Sequence, residues 1–393
     1  MEEAIERYLT QCAVESQTVE DGIVAEPAAG YGVLSKEYHT LDSSAYNEKL
    51  ALVPDELAAF VRTSQPKQWK LLVGRCGGDE EAAKMRLAQR VSKEIDQHGT
   101  IAVLRMKDVD ASEGAHVVLM YNRPVCNKTP EHTALYGLNR LSVMRQVRYS
   151  EKDKGQPKRL AIDMVIFLNG LPIITIELKN ELTGQYHHNA IKQYMQDRQV
   201  KGEKLLEFKR CLVHFAVGTE QVYMTTKLDG KDTCFLPYNK TYANIGVESD
   251  GYRTDYLWKD VLRRDSIIDL VSYYVNVHVE TKRVYNKKTG LLEDKTSTKL
   301  IFPRWHQRRA VMRLVDDVRK NGAGHCYLVQ HSAGSGKSHT ITWLAFRLSG
   351  LYRHFTDENK LFDSVIVVND RVALDRQMQR NFRQFEQTSG EVV

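Results

Sequence analysis

Asp163, Glu177 and Lys179 stand in the pattern D-x13-E-x-K, carried on two apolar runs, LAIDMVIFL (160–168) and PIITIELK (172–179). Alternate residues of an extended strand share a face, so Thr175, Glu177 and Lys179 emerge together while Ile174, Ile176 and Leu178 point the other way. A carboxylate and an ammonium thus leave an apolar strand side by side. Two converging carboxylates can hold Mg²⁺, a hard cation that prefers oxygen ligands. Such an ion can activate water and offset charge on a phosphate under attack, with Lys179 assisting. Taken alone, the short pattern equally describes a strand end with a solvated Glu and Lys. His187 and His188 are adjacent on an expected helix and do not face one ion, so they are not read as ligands.

A second constellation lies at 331–338, His-Ser-Ala-Gly-Ser-Gly-Lys-Ser, after the apolar run CYLV and before a helical pattern. The phosphate-loop spacing G-x-x-x-x-G-K-[ST] is kept except at its first glycine, which is His331. Gly334, Ser335 and Gly336 supply backbone N–H groups that can curl around phosphate oxygens. Lys337 can reach the β- and γ-phosphates of ATP, and Ser338 can ligate Mg²⁺. The helix N-terminus that follows favours an anion. Gln307 lies about thirty residues upstream, and an amide can pair with N6 and N7 of adenine. The Asp357-Glu358 pair lies too close to the loop and lacks an apolar strand before it. The expectation is therefore an ATP-binding lobe cut before its hydrolysing acids, with no ATPase activity of its own.

These residues need a scaffold, and the chain can build one. Its 393 residues are 42% hydrophobic and 27% charged, which excludes wholesale disorder. No run approaches 18 apolar residues, so no membrane partner is expected. The six cysteines (12, 76, 126, 211, 234, 326) form no C-x-x-C pair and read as reduced and cytoplasmic. The net charge of +6 allows a nucleic-acid partner without requiring one. Residues 1–30 hold seven acids and one base, whereas 152–159 and 304–320 are basic.

Periodicity predicts helices over 2–12, from Pro54, over 80–97, 187–198, 256–275, 306–320, 337–348 and from about Leu374. It predicts strands at 101–104, 116–121, 141–149, in the pair 160–180, at 212–219, 222–226, 326–330 and 364–368. Residues 13–48 read as irregular. The polar stretch 286–299 reads as a domain boundary or, alternatively, as a hairpin. The β-loop-α-β order after it marks the start of an α/β sheet.

Several stretches together strongly resemble the R (motor and cleavage) subunit of type I restriction–modification enzymes. They are TSQPKQW (63–69), NRLSVMRQVRYS (139–150), LAIDMVIFLNGLPIITIELKNELTGQ (160–185), VHFAVGTEQVYMTT (213–226), GYRTDYLW (251–258) and HSAGSGKSHT (331–340). The resemblance covers most of residues 50–393. It implies an α/β fold: a PD-(D/E)XK nuclease-like domain (1–285), a linker (286–300), and the first part of a RecA-like parallel α/β motor lobe (301–393). It also implies an ATP-dependent endonuclease that cuts double-stranded DNA with Mg²⁺, is coupled to ATP-driven translocation, and works with modification (methyltransferase) and specificity subunits.

Residue by residue, Asp163, Glu177 and Lys179 fall on the nuclease triad. Tyr194 fits the tyrosine of Q-x-x-x-Y on the next helix, although the glutamine position is Ala190. Gln307 resembles the adenine-reading glutamine of superfamily 2 helicases, and Val367 to Arg371 with Leu374 and Gln377 resembles their motif Ia. Some relatives place a further acid upstream, and on the first helix here Glu3 is the candidate for it. A translocase with a structural N-terminal domain and a non-enzymatic docking module are the competing readings.

The metal reading carries a geometric requirement. A plain two-residue Asn169-Gly170 turn pairs Leu168 with Leu171 and so sets Asp163 opposite Ile176, on the wrong face. A three-residue loop at 169–171, or a bulge there, with positive φ at Gly170 or Asn169, sets Asp163 opposite Glu177. The two carboxylates should then lie within about 6 Å, the reach of one shared cation.

Overall fold

The computed structural model describes residues 1–11, 37–112, 114–150, 160–181, 184–247, 249, 251–286 and 290–389. Cys12, most of the stretch expected to be irregular, and the whole basic run 152–159 lie outside them. The helices are α1 (Glu2–Gln11), α2 (Pro54–Ser64), α3 (Pro66–Arg75), α4 (Glu80–His98), α5 (Thr100–Arg105), α6 (Pro130–Gly137), α7 (His187–Lys192), α8 (Arg264–Asp269), α9 (Trp305–Asn321), α10 (Lys337–Ser349) and α11 (Val372–Ser389). The strands are β1 (His39–Leu41), β2 (Val109–Ser112), β3 (Ala115–Val117), β4 (Leu141–Arg148), β5 (Ala161–Leu168), β6 (Leu171–Leu178), β7 (Val213–Val217), β8 (Val222–Thr225), β9 (Leu236–Pro237), β10 (Asn276–Asn286) and β11 (Leu291–Ile301).

Local chemistry explains several boundaries. Pro54 opens α2, where its missing N–H costs nothing, with Asp55 and Glu56 in the first turn. Asp79 caps α4 by accepting from the Glu81 and Ala82 N–H groups, and Gly99 ends it at φ +84°. The Ile101–Leu104 run, expected as a strand, is instead the helix α5. Its short apolar run suits either state. The preceding Gly99 and the Thr100 hydroxyl, which donates to Arg210 O at 2.6 Å, fix a helical turn.

Seven strands form one mixed sheet in the order β1-β4-β5-β6-β7-β8-β9. The β1–β4 and β6–β7 pairs are parallel and the rest antiparallel. Both faces of its centre are covered. Ile166, Leu168, Ile174 and Ile176 join one apolar cluster with Leu57, Leu87 and Ile101. Val165, Phe167 and Ala216 join another with Ala190 and Tyr194. Double coverage is why β5 and β6 read as unbroken apolar runs.

The polar stretch contributes to a hairpin, the second of the two readings above: Asn276–Asn286 of β10 pair with Leu291–Ile301 of β11 over eleven residues. The expected helix over 256–275 is α8 between two wider π-helical turns, 257–261 and 270–274. Trp305 packs on Tyr256 with ring centres 4.9 Å apart, and Trp343 on Tyr274 at 5.6 Å, so α9 and α10 join the larger cluster. The runs at 326–330 and 364–368, expected as strands, carry no ladder in the structure. Leu328, Ile366 and Val368 are exposed there. A strand is a property of a pair, and apolar composition alone does not make one.

Candidate active site

The β5–β6 hairpin sets the site. Its turn is the two-residue Asn169-Gly170, with φ +52° and +83°, the left-handed pair that suits the twist of a hairpin. The Asn169 side chain is buried, accepting from Arg140 N at 2.7 Å and donating to Leu119 O at 2.8 Å. Leu168 pairs with Leu171 and Phe167 with Pro172, but Ile166 pairs with Ile174 and Met164 with Ile176. Ile173 is therefore an extra residue, and the register shifts by one beyond it. Its carbonyl accepts from Leu212 N at 2.8 Å, so the bulge is tied to the segment entering β7. The expected three-residue loop is not formed. The bulge lies at Ile173, outside the 169–171 window. Continuing the register places Asp163 opposite Glu177, as the metal reading requires.

Asp163 is half-buried, and its Oδ2 accepts from Leu178 N at 2.7 Å. Glu177 is fully buried. Its Oε1 accepts from Arg198 Nε at 3.0 Å and Nη2 at 2.6 Å, while its Oε2 has no hydrogen-bond partner. Burial pushes the Glu177 carboxyl up to about 8. The charge of Asp163 raises it further, and Arg198 and Lys179 pull against that rise. Lys179 is half-buried beyond the end of β6, its N–H donating to Val217 O at 2.8 Å.

Tyr194 sits in a π-helical turn (193–197) that continues α7, completely buried. Its hydroxyl lies 2.8 Å from Thr175 Oγ1, which is 2.7 Å from His214 Nδ1. Burial lowers the His214 pKa to about 3. Tyr194 thus meets the strand two residues before Glu177. The rings of His187 and His188 stack on Tyr223 and Tyr186 respectively, as side chains engaged in packing.

At the end of β6, a cavity of about 270 Å³ is lined by Met1, Glu2, Glu3, Arg145, Leu178, Lys179 and Asn180. Helix α1 therefore sets Glu2 and Glu3 along the same cavity as Lys179. Arg145 bridges Glu2 at 3.3 Å and Glu6 at 3.0 Å, and Glu3 lies 3.9 Å from it. Among the described residues no group of three or more His, Cys, Asp or Glu could hold a metal ion. Arg198 is the member of this centre that sequence reasoning missed. The partnership spans 21 residues and has no spacing signature.

The second constellation is also assembled. Gly334 and Gly336 take φ of +72° and +84°, and Gly336 caps α10. Gly336 holds a left-handed φ that an L side chain rarely adopts, and a Cβ there would also press on the Gln307 amide. Gln307 is buried; its Oε1 accepts from Arg304 N at 2.9 Å and its Nε2 donates to Gly336 O at 3.0 Å. The amide thus ties α9 to the loop. Lys337 Nζ folds over the loop and donates to His331 O at 3.1 Å and Ser332 O at 2.9 Å. Ser338 is half-buried, and the buried Ser335 hydroxyl has no partner. Of the motif Ia residues, Asn369 donates to Asp375 at 3.3 Å.

An aspartate, a glutamate and a lysine on the central hairpin of a mixed sheet, followed by a glycine-rich loop and helix, are consistent with a nuclease-like α/β domain followed by the start of a RecA-like lobe. Residues 69–233 match the family described as the type I restriction enzyme R protein N terminus, and residues 306–392 match the SWI2/SNF2 ATPase family. Both matches, in this order, make the chain similar to the R subunits of type I restriction enzymes, the family its motifs resemble. Two relatives from Methanocaldococcus jannaschii carry provisional names as endonuclease subunits of the type I restriction enzymes MjaVIIP and MjaVIIIP. The first is 25% identical over 230 residues (57% of this chain) and the second 26% over 228 (55%). The match spans 19%, about a fifth, of the length of each relative.

Proposed function

We propose that this chain carries the DNA-cleaving and ATP-binding sites of a restriction endonuclease subunit acting on double-stranded DNA. The observation that supports the reading is the register shift at Ile173; extended one residue past the Met164–Ile176 pair, that register sets Asp163 opposite Glu177, two residues before Lys179. The residues fit Mg²⁺: the donor set is oxygen only, and Glu177 Oε2 is a buried acceptor with nothing bound to it. Asp163 and Glu177 would hold the ion, which when bound activates water and offsets phosphate charge. Lys179 contributes a positive charge at the mouth for a scissile phosphate. Tyr194, through Thr175, stiffens the strand that presents Glu177. In the second site, the backbone of Gly334 to Gly336 and the Lys337 ammonium would receive the phosphates of ATP. Ser338 would face the accompanying Mg²⁺, and Gln307 would turn from Gly336 toward adenine.

In this reading residues 1–285 form the nuclease domain, 286–300 the connection and 301–393 the first part of the motor lobe. Cleavage would be coupled to ATP-driven translocation in the cytoplasm, in company with modification and specificity subunits. No helix among the described residues is long and apolar enough to cross a membrane. The test is Glu177→Gln in the assembled enzyme: DNA cleavage should be lost and ATPase retained, whereas Lys337→Ala should remove both. Normal cleavage by Glu177→Gln would overturn the assignment.

A further inference from the structure

Arg198 belongs to none of the motifs above, yet it closes one side of the carboxylate centre. Its Nε and Nη2 converge on the single oxygen Glu177 Oε1, at 3.0 and 2.6 Å. Nη2 also donates to Ala161 O at 2.6 Å, on the strand that carries Asp163, and the guanidinium lies 5.6 Å from the Tyr149 ring centre. The pair is sealed from solvent, with side-chain exposures of 4% for Arg198 and 0% for Glu177.

The pairing is asymmetric. An arginine that serves only to neutralise a buried carboxylate commonly engages both oxygens as a fork. Here both donors are spent on Oε1, and Oε2 is left buried and unpartnered. Arg198 holds the acid by one oxygen and leaves the other for a different cation. With Glu177 ionised, as a metal ligand must be, the charges of Asp163, Glu177, Lys179 and Arg198 cancel. A divalent cation entering at Oε2 would therefore sit close to a fixed guanidinium in a water-poor site, where like charges repel far more than in bulk water. Arg198 immediately follows the π-helical turn 193–197, its N–H donating to Gln193 O at 3.1 Å. Such widened turns recur at functional sites.

We propose that Arg198 is an internal counter-cation that positions Glu177 and competes with the divalent metal, so that the centre loads weakly until further negative charge, such as a DNA phosphate, enters it. The proposal rests on the reading of Asp163 and Glu177 as metal ligands. The test is Mn²⁺ titration of the 393-residue chain, without nucleotide or DNA, by calorimetry and electron paramagnetic resonance. Arg198→Met should bind Mn²⁺ at least tenfold more tightly than the unsubstituted chain, Arg198→Lys should match the unsubstituted chain, and Glu177→Gln should remove the site. If Arg198→Met does not fold without metal, Arg198→Gln keeps a donor for Oε1 without the charge and carries the same expectation. A purely structural arginine gives the opposite sign, because Glu177 loses its anchor and binding weakens. Glu177-dependent Mn²⁺ binding that does not tighten in the uncharged variants overturns the counter-cation and leaves the metal reading standing. No Glu177-dependent binding in any variant overturns both.

Discussion

Gly170→Ala is expected to be among the most damaging one-methyl changes in the hairpin. Gly170 has φ +83°, a region that costs an L-residue roughly 1–2 kcal/mol. An added Cβ would stand 2.6 Å from Val53 O, 2.7 Å from Leu57 N and 3.1 Å from Leu57 Cβ. The first two atoms are backbone at the start of α2, and Val53 N donates to Gly170 O at 2.9 Å, so neither side can yield without breaking the contact that docks α2 on the turn. Overpacking of this kind typically costs about 1–3 kcal/mol, giving roughly 2–5 kcal/mol in all. Gly77 isolates the backbone component, because its φ is +71° and a Cβ there meets nothing within 4 Å. Urea unfolding of both variants should place Gly170→Ala well below Gly77→Ala, with the same m value. Equal losses would refute the argument that α2 clamps the turn.

Three further outcomes are expected. Glu177 is held up to about 8 against an ordinary 4.5, so its contribution to stability is full below about pH 4.5 and is lost as pH rises through 8. In metal-free protein the unsubstituted chain should lose up to roughly 5 kcal/mol relative to Glu177→Gln across that window, and parallel stability curves would contradict it. Lys337→Ala should abolish binding of a fluorescent ATP analogue while leaving Mn²⁺ binding at Glu177 unchanged by calorimetry. Tyr194→Phe should cost about 1 kcal/mol in urea unfolding, from the bond to Thr175, and a wholly neutral result would remove that bond from the account.

Much of this was legible in the sequence where the cause is local. Proline and acids at 54–56, glycine at 99 and the 3.6-residue period of α1, α4 and α9 mark helices by chemistry that acts within a few residues. The face that carries Glu177 and Lys179 was legible because alternation along β6 fixes which residues share a side. The position of the extra residue was not. Positive φ at Gly170 or Asn169 was expected, and both residues adopt it, but a two-residue turn followed by a bulge and a three-residue loop satisfy the same parity, and the choice is made by distant groups: Leu212 N taking Ile173 O, and Val53 N taking Gly170 O. Arg198 was hidden for the same reason. The strands expected at 326–330 and 364–368 fail because an apolar run needs a neighbour to pair with. The hairpin over 276–301 went the other way, since its polar residues suit a solvated two-stranded arm as well as a linker.

The central claim is that Asp163 and Glu177 share one divalent cation, and iron-directed cleavage of the chain itself tests it most directly. Fe²⁺ bound in place of Mg²⁺, with ascorbate and hydrogen peroxide, generates radicals that cut the backbone beside the metal. With the carboxylates facing across β5 and β6, the cuts should cluster near residues 163 and 177 and disappear in both Asp163→Asn and Glu177→Gln. Cuts that are absent from these strands, or that persist in either variant, would contradict the claim.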